Sequence, residues 1–307
     1  MRAPFSSRTN RGSALLLVLW ATVMLSVLIM GVVRLIDFDI DDSIGRQKNA
    51  RARQLAECGL ALGIHPEVDF HDPVLRQTLP GGERIEVKIS SEGSRLNINR
   101  LLGRNDRELL RRIFDEWGLD DTSSSHLLDC LADWADADDM KRLNGAERSD
   151  YEKAGVPAAP KNHPFWSLEE MAMVSGMEEL EKVKPNWRDY FTIWGDGRLD
   201  INEASAELIH LVCEVNILQA EALVKRRWGP DGKEGTEDDI RYTDMEEVRR
   251  TLALPQSLFE RIDQRITIQE NVRRVESTGV VGNHRYRIIL VALRNANPPQ
   301  YLEWQER

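Results

Sequence analysis

From Ser13 to Val33 the chain runs 21 residues without a charged side chain, SALLLVLWATVMLSVLIMGVV. Wound as a helix rising 1.5 Å per residue, such a run spans about 30 Å, the thickness of a bilayer's hydrocarbon core. Arg2, Arg8 and Arg11 precede it with no acidic residue among them. The positive-inside rule therefore keeps the N-terminus in the cytoplasm and puts everything after Arg34 outside. A cleaved secretory signal carries an apolar region of only about 7–15 residues before a small-x-small site. This run is too long, and no such site follows it. Beyond the span, residues 34–64 keep a helical period. Arg46, Ala50, Arg53, Glu57 and Leu60 alternate with Ile44, Leu55, Ala56 and Leu62 until His65-Pro66 stops the pattern.

The period then changes to two. After the turn Pro80-Gly81-Gly82, residues 83–91 (ERIEVKISS) alternate as a strand. The next strand-like runs lie far downstream, at 265–278, 284–295 and 300–304, punctuated by Gly279 and Gly282-Asn283. One strand before and three after a long helical stretch predict a sheet domain interrupted by an insertion. The chain thus divides into a span (13–33), a spine helix with the first strand (34–95), a helical insertion (96–264) and a C-terminal sheet (265–307). The insertion carries an internal repeat, with halves at about 96–190 and 195–264. GSRLNIN (93–99) opens one half and GDGRLDIN (195–202) the other. Each continues with two helical patterns, an acidic loop (133–139 or 231–239) and a closing helix (167–177 or 243–255). The halves resemble SAM-like or helix-hairpin-helix modules. Nucleic-acid-binding versions join their helices through a glycine hairpin, but here the second join is Cys213-Glu214-Val215-Asn216, with a negative charge and no glycine. These modules read as protein-packing units, and Lys225-Arg226-Arg227 as a solvated helix end.

Composition narrows the function. With 41% hydrophobic and 30% charged residues among 307, the bulk is ordinary globular protein. A formal charge of −10 argues against a broad grip on nucleic acid. Three cysteines exclude a disulfide-dense miniature scaffold. Cys130 and Cys213 sit one in each half, and a bridge between them is permitted outside the inner membrane if their Cα atoms approach within about 7 Å. Six scattered histidines form no metal spacing, and the chain has no G-x-S-x-G, phosphate loop or dinucleotide fingerprint. No enzyme is expected.

The junction Arg11-Gly12-Ser13-Ala14-Leu15-Leu16 resembles the type IV prepilin leader, which is cut after glycine on the cytoplasmic side. That resemblance implies a leader of residues 1–12 and a mature chain beginning at an N-methylated Ser13. Its charge would fall from −10 to −13 with the loss of three arginines. The fifth mature residue, Glu in most pilin-like proteins, is here Leu17. A carboxylate held in lipid costs several kcal/mol unless paired, so Leu17 implies that no subunit above needs its charge. With LLDCLADWADADD (127–139), NGAERSDY (144–151), PKNHPF (160–165), SLEEMAMVSGM (167–177) and DGRLDINEAS (196–205), nearly the whole chain resembles the minor pseudopilin K family of type II secretion. The resemblance implies an α+β fold: a pilin-like spine helix and small antiparallel sheet with a large all-α insertion. It implies a place at the pseudopilus tip, initiating or capping assembly and supporting export of folded proteins across the outer membrane. The expected partners are minor pseudopilins I and J, other pseudopilins, the inner-membrane assembly platform and the prepilin peptidase, with no nucleic acid. The expected location is the bacterial inner membrane, single-pass, with the bulk periplasmic. A minor pilin of a type IV pilus or DNA-uptake apparatus is the alternative.

Two acidic clusters suit a hard cation. Around Asp231, Glu234, Asp238 and Asp239, glycines allow a tight loop in which oxygens converge, as calcium, with about 6–8 oxygen ligands, requires. The spacing is not that of an EF-hand. Similar loops hold calcium in other pseudopilins, and the K family is associated with calcium in its helical domain, so Ca²⁺ is the expected cofactor. In the second, weaker cluster, Asp133, Asp136 and Asp139 would share one face of a helix.

Overall fold

A computed structural model describes residues 11–68, 70, 72–156, 158–236, 238–293 and 299–306, and of residues 11–14 the backbone alone. The leader residues 1–10 lie outside the described residues. Helix α1 (Arg11–Ile64) joins membrane span and spine without a break. Strands β1 (Arg76–Thr78) and β2 (Arg84–Ser91) follow. The insertion begins with β3 (Leu96–Asn97), α2 (Ile98–Gly103), α3 (Arg107–Glu116), α4 (Asp121–Ala135), α5 (Arg148–Lys153), α6 (Leu168–Met171), α7 (Met177–Val183) and β4 (Phe191–Thr192). It continues with β5 (Leu199–Asp200), α8 (Ala206–Cys213), α9 (Ile217–Arg227), α10 (Met245–Thr251), α11 (Gln256–Ile262) and β6 (Ile266–Thr267). The chain then returns to the first sheet as β7 (Val272–Val281), β8 (His284–Leu293) and β9 (Tyr301–Glu306).

That sheet is antiparallel, in the order β1-β2-β7-β8-β9. The alternation read in 83–91 has a physical counterpart: Ile85, Val87 and Ile89 point inward with Val275, Ile288 and Leu290, against Leu55, Ala56 and Leu60 of α1. The helix crosses the sheet on Gly59 and Gly63, where a side chain would run into Ser277 and Val275. Gly279 lies under the α1 backbone at Ala52–Ala56, so it is glycine for closeness rather than for a turn. Following α1 away from the membrane, Gly45 lies beside His284, Gly59 beside Ile85, and Gly63 beside Val275. The Nη1 of Arg273 then donates to the carbonyls of Gly63 (2.9 Å) and Val68 (3.4 Å), satisfying acceptors that the end of a helix leaves over. Ser91 pairs with Arg273. The insertion therefore departs and returns through neighbouring strands, at the end of the sheet farthest from the span.

The insertion has its own core, built on Leu110, Ile113, Phe114, Leu127, Leu131 and Trp134 in its first part and Ile209, Leu223 and Val248 in its second. Each part opens and closes on a short parallel bridge, β3 with β4 and β5 with β6. After each opening strand comes an asparagine clamp. Asn99 donates to the carbonyl and accepts from the N–H of Phe165, both at 2.8 Å. Asn202 does the same to Tyr242, at 2.9 and 2.7 Å. The α3–α4 and α8–α9 turns each place one residue in the left-handed region, Gly118 (φ 94°) and Glu214 (φ 56°). The pattern located the elements more reliably than their ends. In the second half the first helical pattern begins only at Ala206, behind the Ser205 cap, and the closing pattern 167–177 splits into α6 and the start of α7 at Gly176. Strand β1 has no alternation long enough to be read.

Candidate cation clusters and the assembly scaffold

Asp133 lies fully buried in the last turn of α4, which ends at Ala135. Asp136 and Asp139 therefore do not share its helical face, contrary to the sequence reading: Asp136 caps the helix and Asp139 lies in the loop beyond. What joins them is Arg142. Its Nη1 donates to Asp133 Oδ1 at 2.6 Å and to Asp136 Oδ2 at 2.5 Å, and its backbone N–H also points at the Asp133 carboxylate. Asp139 accepts from Asn162 Nδ2 at 2.9 Å. Several acceptors are left over. Asp136 Oδ1 and Asn162 Oδ1 are buried without a hydrogen-bond partner, and the buried Glu147 carboxylate faces only the backbone N–H groups that open α5. Burial, and then the negative charges of Asp133, Asp136 and Asp139, push the Glu147 carboxyl up to about 7. Burial likewise raises Asp133, despite the nearby guanidinium. Among the described residues no three His, Cys, Asp or Glu side chains converge as a ready-made metal cage. Arg142 stands between two of the carboxylates.

The second loop is arranged differently. Asp238 Oδ2 accepts from the N–H of Asp231 at 2.9 Å and Oδ1 from the Thr236 hydroxyl at 2.7 Å, which together hold this carboxyl below its ordinary value. Asp239 accepts from Gly235 N–H at 2.8 Å, and Asp231 from Lys233 N–H at 2.7 Å. Glu234 is exposed. These carboxylates serve the loop's own backbone donors. Glu237, the fifth acid of the loop, lies outside the described residues. At the end of α9, beside the described part of this loop, Arg227 corrects the reading of a solvated basic end. It is buried, and its guanidinium donates to the carbonyls of Ile201 (2.5 Å) and Ala204 (2.9 Å), tying α9 to the opening of its half. Lys225 and Arg226 are exposed as read, Arg226 paired with Glu247 at 2.5 Å.

The cysteine pairing does not form. Cys58, Cys130 and Cys213 are free thiols. Cys130 faces His126, 3.6 Å from its Nδ1, while Cys213 is wholly buried on α8. Each fills its own half's interior, and burial pushes both thiols up to about 12. Of the processing residues, Gly12 and Ser13 belong to the α1 backbone, and Leu17 is 71% exposed on it. The sequence reading missed Glu147, Asn162 and Arg142 as members of the first cluster. They lie 9–29 residues beyond Asp133, and no spacing rule links them to it.

Residues 94–185, the first part of the insertion, match the family model described as "Type II secretion system (T2SS), protein K". The resemblance to the protein K family holds. One chain of the crystal structure of the GspK-GspI-GspJ complex from the enterotoxigenic Escherichia coli type 2 secretion system has the same fold. Its TM-score is 0.61, at 17% identity, over 88% of this chain and 98% of that one. No curated protein matches in sequence. Spine helix, sheet and insertion thus belong to one architecture shared with a solved structure, and the protein K match falls on the half that contains Asp133, Glu147 and Asn162.

Proposed function

We propose that this chain is a minor pseudopilin at the tip of a type II secretion pseudopilus, non-enzymatic, joined to pseudopilins I and J through α1. The carrying observation is where the insertion leaves the sheet. It emerges between β2 and β7 at the membrane-distal end, so its bulk occupies the space into which a further subunit would stack. Leu17 supports the same reading, since it offers no carboxylate to a neighbour's amine. The leader is cut between Gly12 and Ser13 by the prepilin peptidase, Ser13 is N-methylated, and α1 holds the mature protein in the inner membrane with its bulk in the periplasm. Labelling isolated pseudopili with antibody against the insertion tests the placement. Label at one end is expected, and label along the length would sink it. N-terminal sequencing of membrane-extracted protein should read Ser13 first.

The two parts of the insertion are read as copies of one module, on the matched parallel bridges, asparagine clamps and left-handed turns. Calcium is read as binding at corresponding places, after α4 and after α9. Support for the first place comes from Asp136 Oδ1 and Asn162 Oδ1, buried without hydrogen-bond partners, beside the Glu147 carboxylate. Asp133, Asp136, Glu147 and Asn162 would hold the ion, with Asp139 beside them, and Arg142 would swing out. The second place, with Asp231, Glu234, Asp238 and Asp239, fits only if the loop gives up its own N–H contacts. A divalent ion supplies charge neutralisation, and with it a fixed loop geometry.

A further inference from the structure

Two loops gathered at the C-terminal turns of α4 hold large apolar side chains out in water. Among the described residues of the insertion, the most exposed are Leu143 (93%), Trp166 (75%) and Met140 (74%). The loop 138–148 is pinned to α4 by the N–H of Arg142 on Asp133, at 3.2 Å, and the N–H of Asn144 on Asp129, at 3.0 Å. Leu143 stands between these two anchors, so the fold itself presents its side chain. The turn 160–166 is tied to the same place. Asn162 donates from its backbone to the Trp134 carbonyl and from Nδ2 to the Asp138 carbonyl, both at 3.1 Å. Trp166 is fixed in turn, its N–H on Glu170 at 2.9 Å and its indole stacked on His163 with ring centroids 4.3 Å apart. Single exposed apolar side chains are ordinary on a protein surface, whereas three large ones held rigidly on adjoining loops mark a contact surface.

We infer that this surface docks on a phospholipid bilayer, the one that faces the insertion across the periplasm. The choice of bilayer rests on the tip placement proposed above; the lipid contact itself does not. With α1 upright, residues 34–64 lift the far end of the sheet about 46 Å above the anchoring membrane. The insertion leaves the sheet at that end and so stands clear of the membrane that holds it. The chemistry favours lipid over a protein partner. Lys141 and Arg142 separate Met140 from Leu143, and Lys161 lies on the other loop, so the apolar side chains stand singly between charges. A folded partner would have to bury those charges to make dry contact. A bilayer interface instead takes each apolar side chain into its acyl edge and leaves the cations among the headgroup phosphates. Tryptophan suits that depth, with an apolar ring and one N–H for the polar side. The exposed charges of the two loops are Lys141, Arg148 and Lys161 against Asp138 and Asp139, close to balance in a chain whose formal charge is −10. A headgroup layer bearing some anionic lipid is therefore not turned away here.

The test uses the full chain, anchored by its own span in one population of vesicles. It asks whether the chain tethers a second, protein-free population of phosphatidylethanolamine and phosphatidylglycerol. Brominated acyl chains in the second population alone report contact, because they quench a tryptophan that enters them. Wild type should tether and be quenched, and both should survive 1 M salt, where the Debye length is about 3 Å. The Met140→Ser, Leu143→Ser, Trp166→Ser variant should tether about tenfold more weakly at an unchanged melting temperature. Leu218→Ser, which removes another exposed leucine, on α9, should match wild type. Leu143→Trp, with a larger apolar side chain at the most exposed position, should tether more tightly, a gain that no misfolded variant can give. Wild type that does not tether would overturn the inference and leave the surface to a protein partner. A triple variant that tethers as well as wild type, or Leu143→Trp without gain, would overturn it too. Pseudopili labelled along their length, with vesicles still tethered, would sink the tip placement and leave the lipid contact standing.

Discussion

A few side chains in this protein carry chemistry that their neighbours impose. Glu147 is one. A carboxyl raised from 4.5 to about 7 in the fold binds its proton more tightly there than in the unfolded chain. It therefore stabilises most below about 4.5, and the contribution is lost as pH rises through about 7. In calcium-free buffer, melting of wild type should fall relative to Glu147→Gln between pH 5 and 7.5. At the proposed site calcium would need the ionised carboxylate, so a stabilising shift by calcium should grow over the same window in wild type and shrink in the variant. Parallel pH curves with and without the substitution would remove Glu147 from the site. The thiols give a second check. Cys58 is exposed while Cys130 and Cys213 are buried with thiols near 12. At pH 8 an alkylating reagent should label one cysteine per native chain and three after denaturation. Rapid labelling of all three in the native state would mean that the two halves open readily.

At the scale of elements, the joint between spine and sheet depends on missing side chains. Gly279 on β7 lies against the α1 backbone, with Gly59 and Gly63 opposite Ser277 and Val275. Gly279→Ala puts a methyl group where the backbone of Ala52 already sits, and neither partner is a flexible side-chain end. It should destabilise by about 1–3 kcal/mol or more, the usual range for overpacking a close contact. Gly282→Ala, in the β7–β8 turn with nothing within 4 Å, controls for loss of glycine alone through its positive φ of 58°. If Gly279→Ala melts with wild type, the helix is not seated on β7 as described.

The whole molecule consists of two cores held by a narrow joint. Leu55, Leu60, Ile85, Val275 and Leu290 belong to one, and the insertion's leucines and tryptophans to the other. At the joint, buried Glu92 accepts from Arg95 (3.2 Å), Arg274 (3.1 Å) and the Thr192 hydroxyl (2.5 Å), and Trp194 donates to Glu303 on β9 at 2.6 Å. Since Ser91 and Arg273 are already paired across β2 and β7, residues 92–272 can be replaced by an Asn-Gly hairpin turn without moving either strand. The shortened protein should still melt cooperatively, at a lower temperature for want of the joint. On the proposed tip placement, the shortened protein carrying an epitope tag after β9 should also be found along the pseudopilus rather than at one end, since it lacks the bulk proposed to stop stacking. Absence of a cooperative transition would mean that the sheet depends on the insertion to fold.

Much of this was legible in the order of residues because the deciding forces are local or periodic. Twenty-one uncharged positions specify a membrane helix whatever else the chain does, and alternation at 83–91 specifies a half-buried strand. The repeated RLNIN and RLDIN motifs marked the positions of the two asparagine clamps, although nothing in the motifs said which backbone groups they would hold. Tertiary structure alone decided the rest. It ended α4 at Ala135 and so broke the helical face on which Asp133, Asp136 and Asp139 were expected to meet. It brought Glu147 and Asn162 to that cluster instead, buried Arg227 where a surface cation was expected, and kept Cys130 and Cys213 in separate interiors. Each of these depends on which groups lose their water together, and that is set by packing between residues far apart in the chain, where periodicity carries no information.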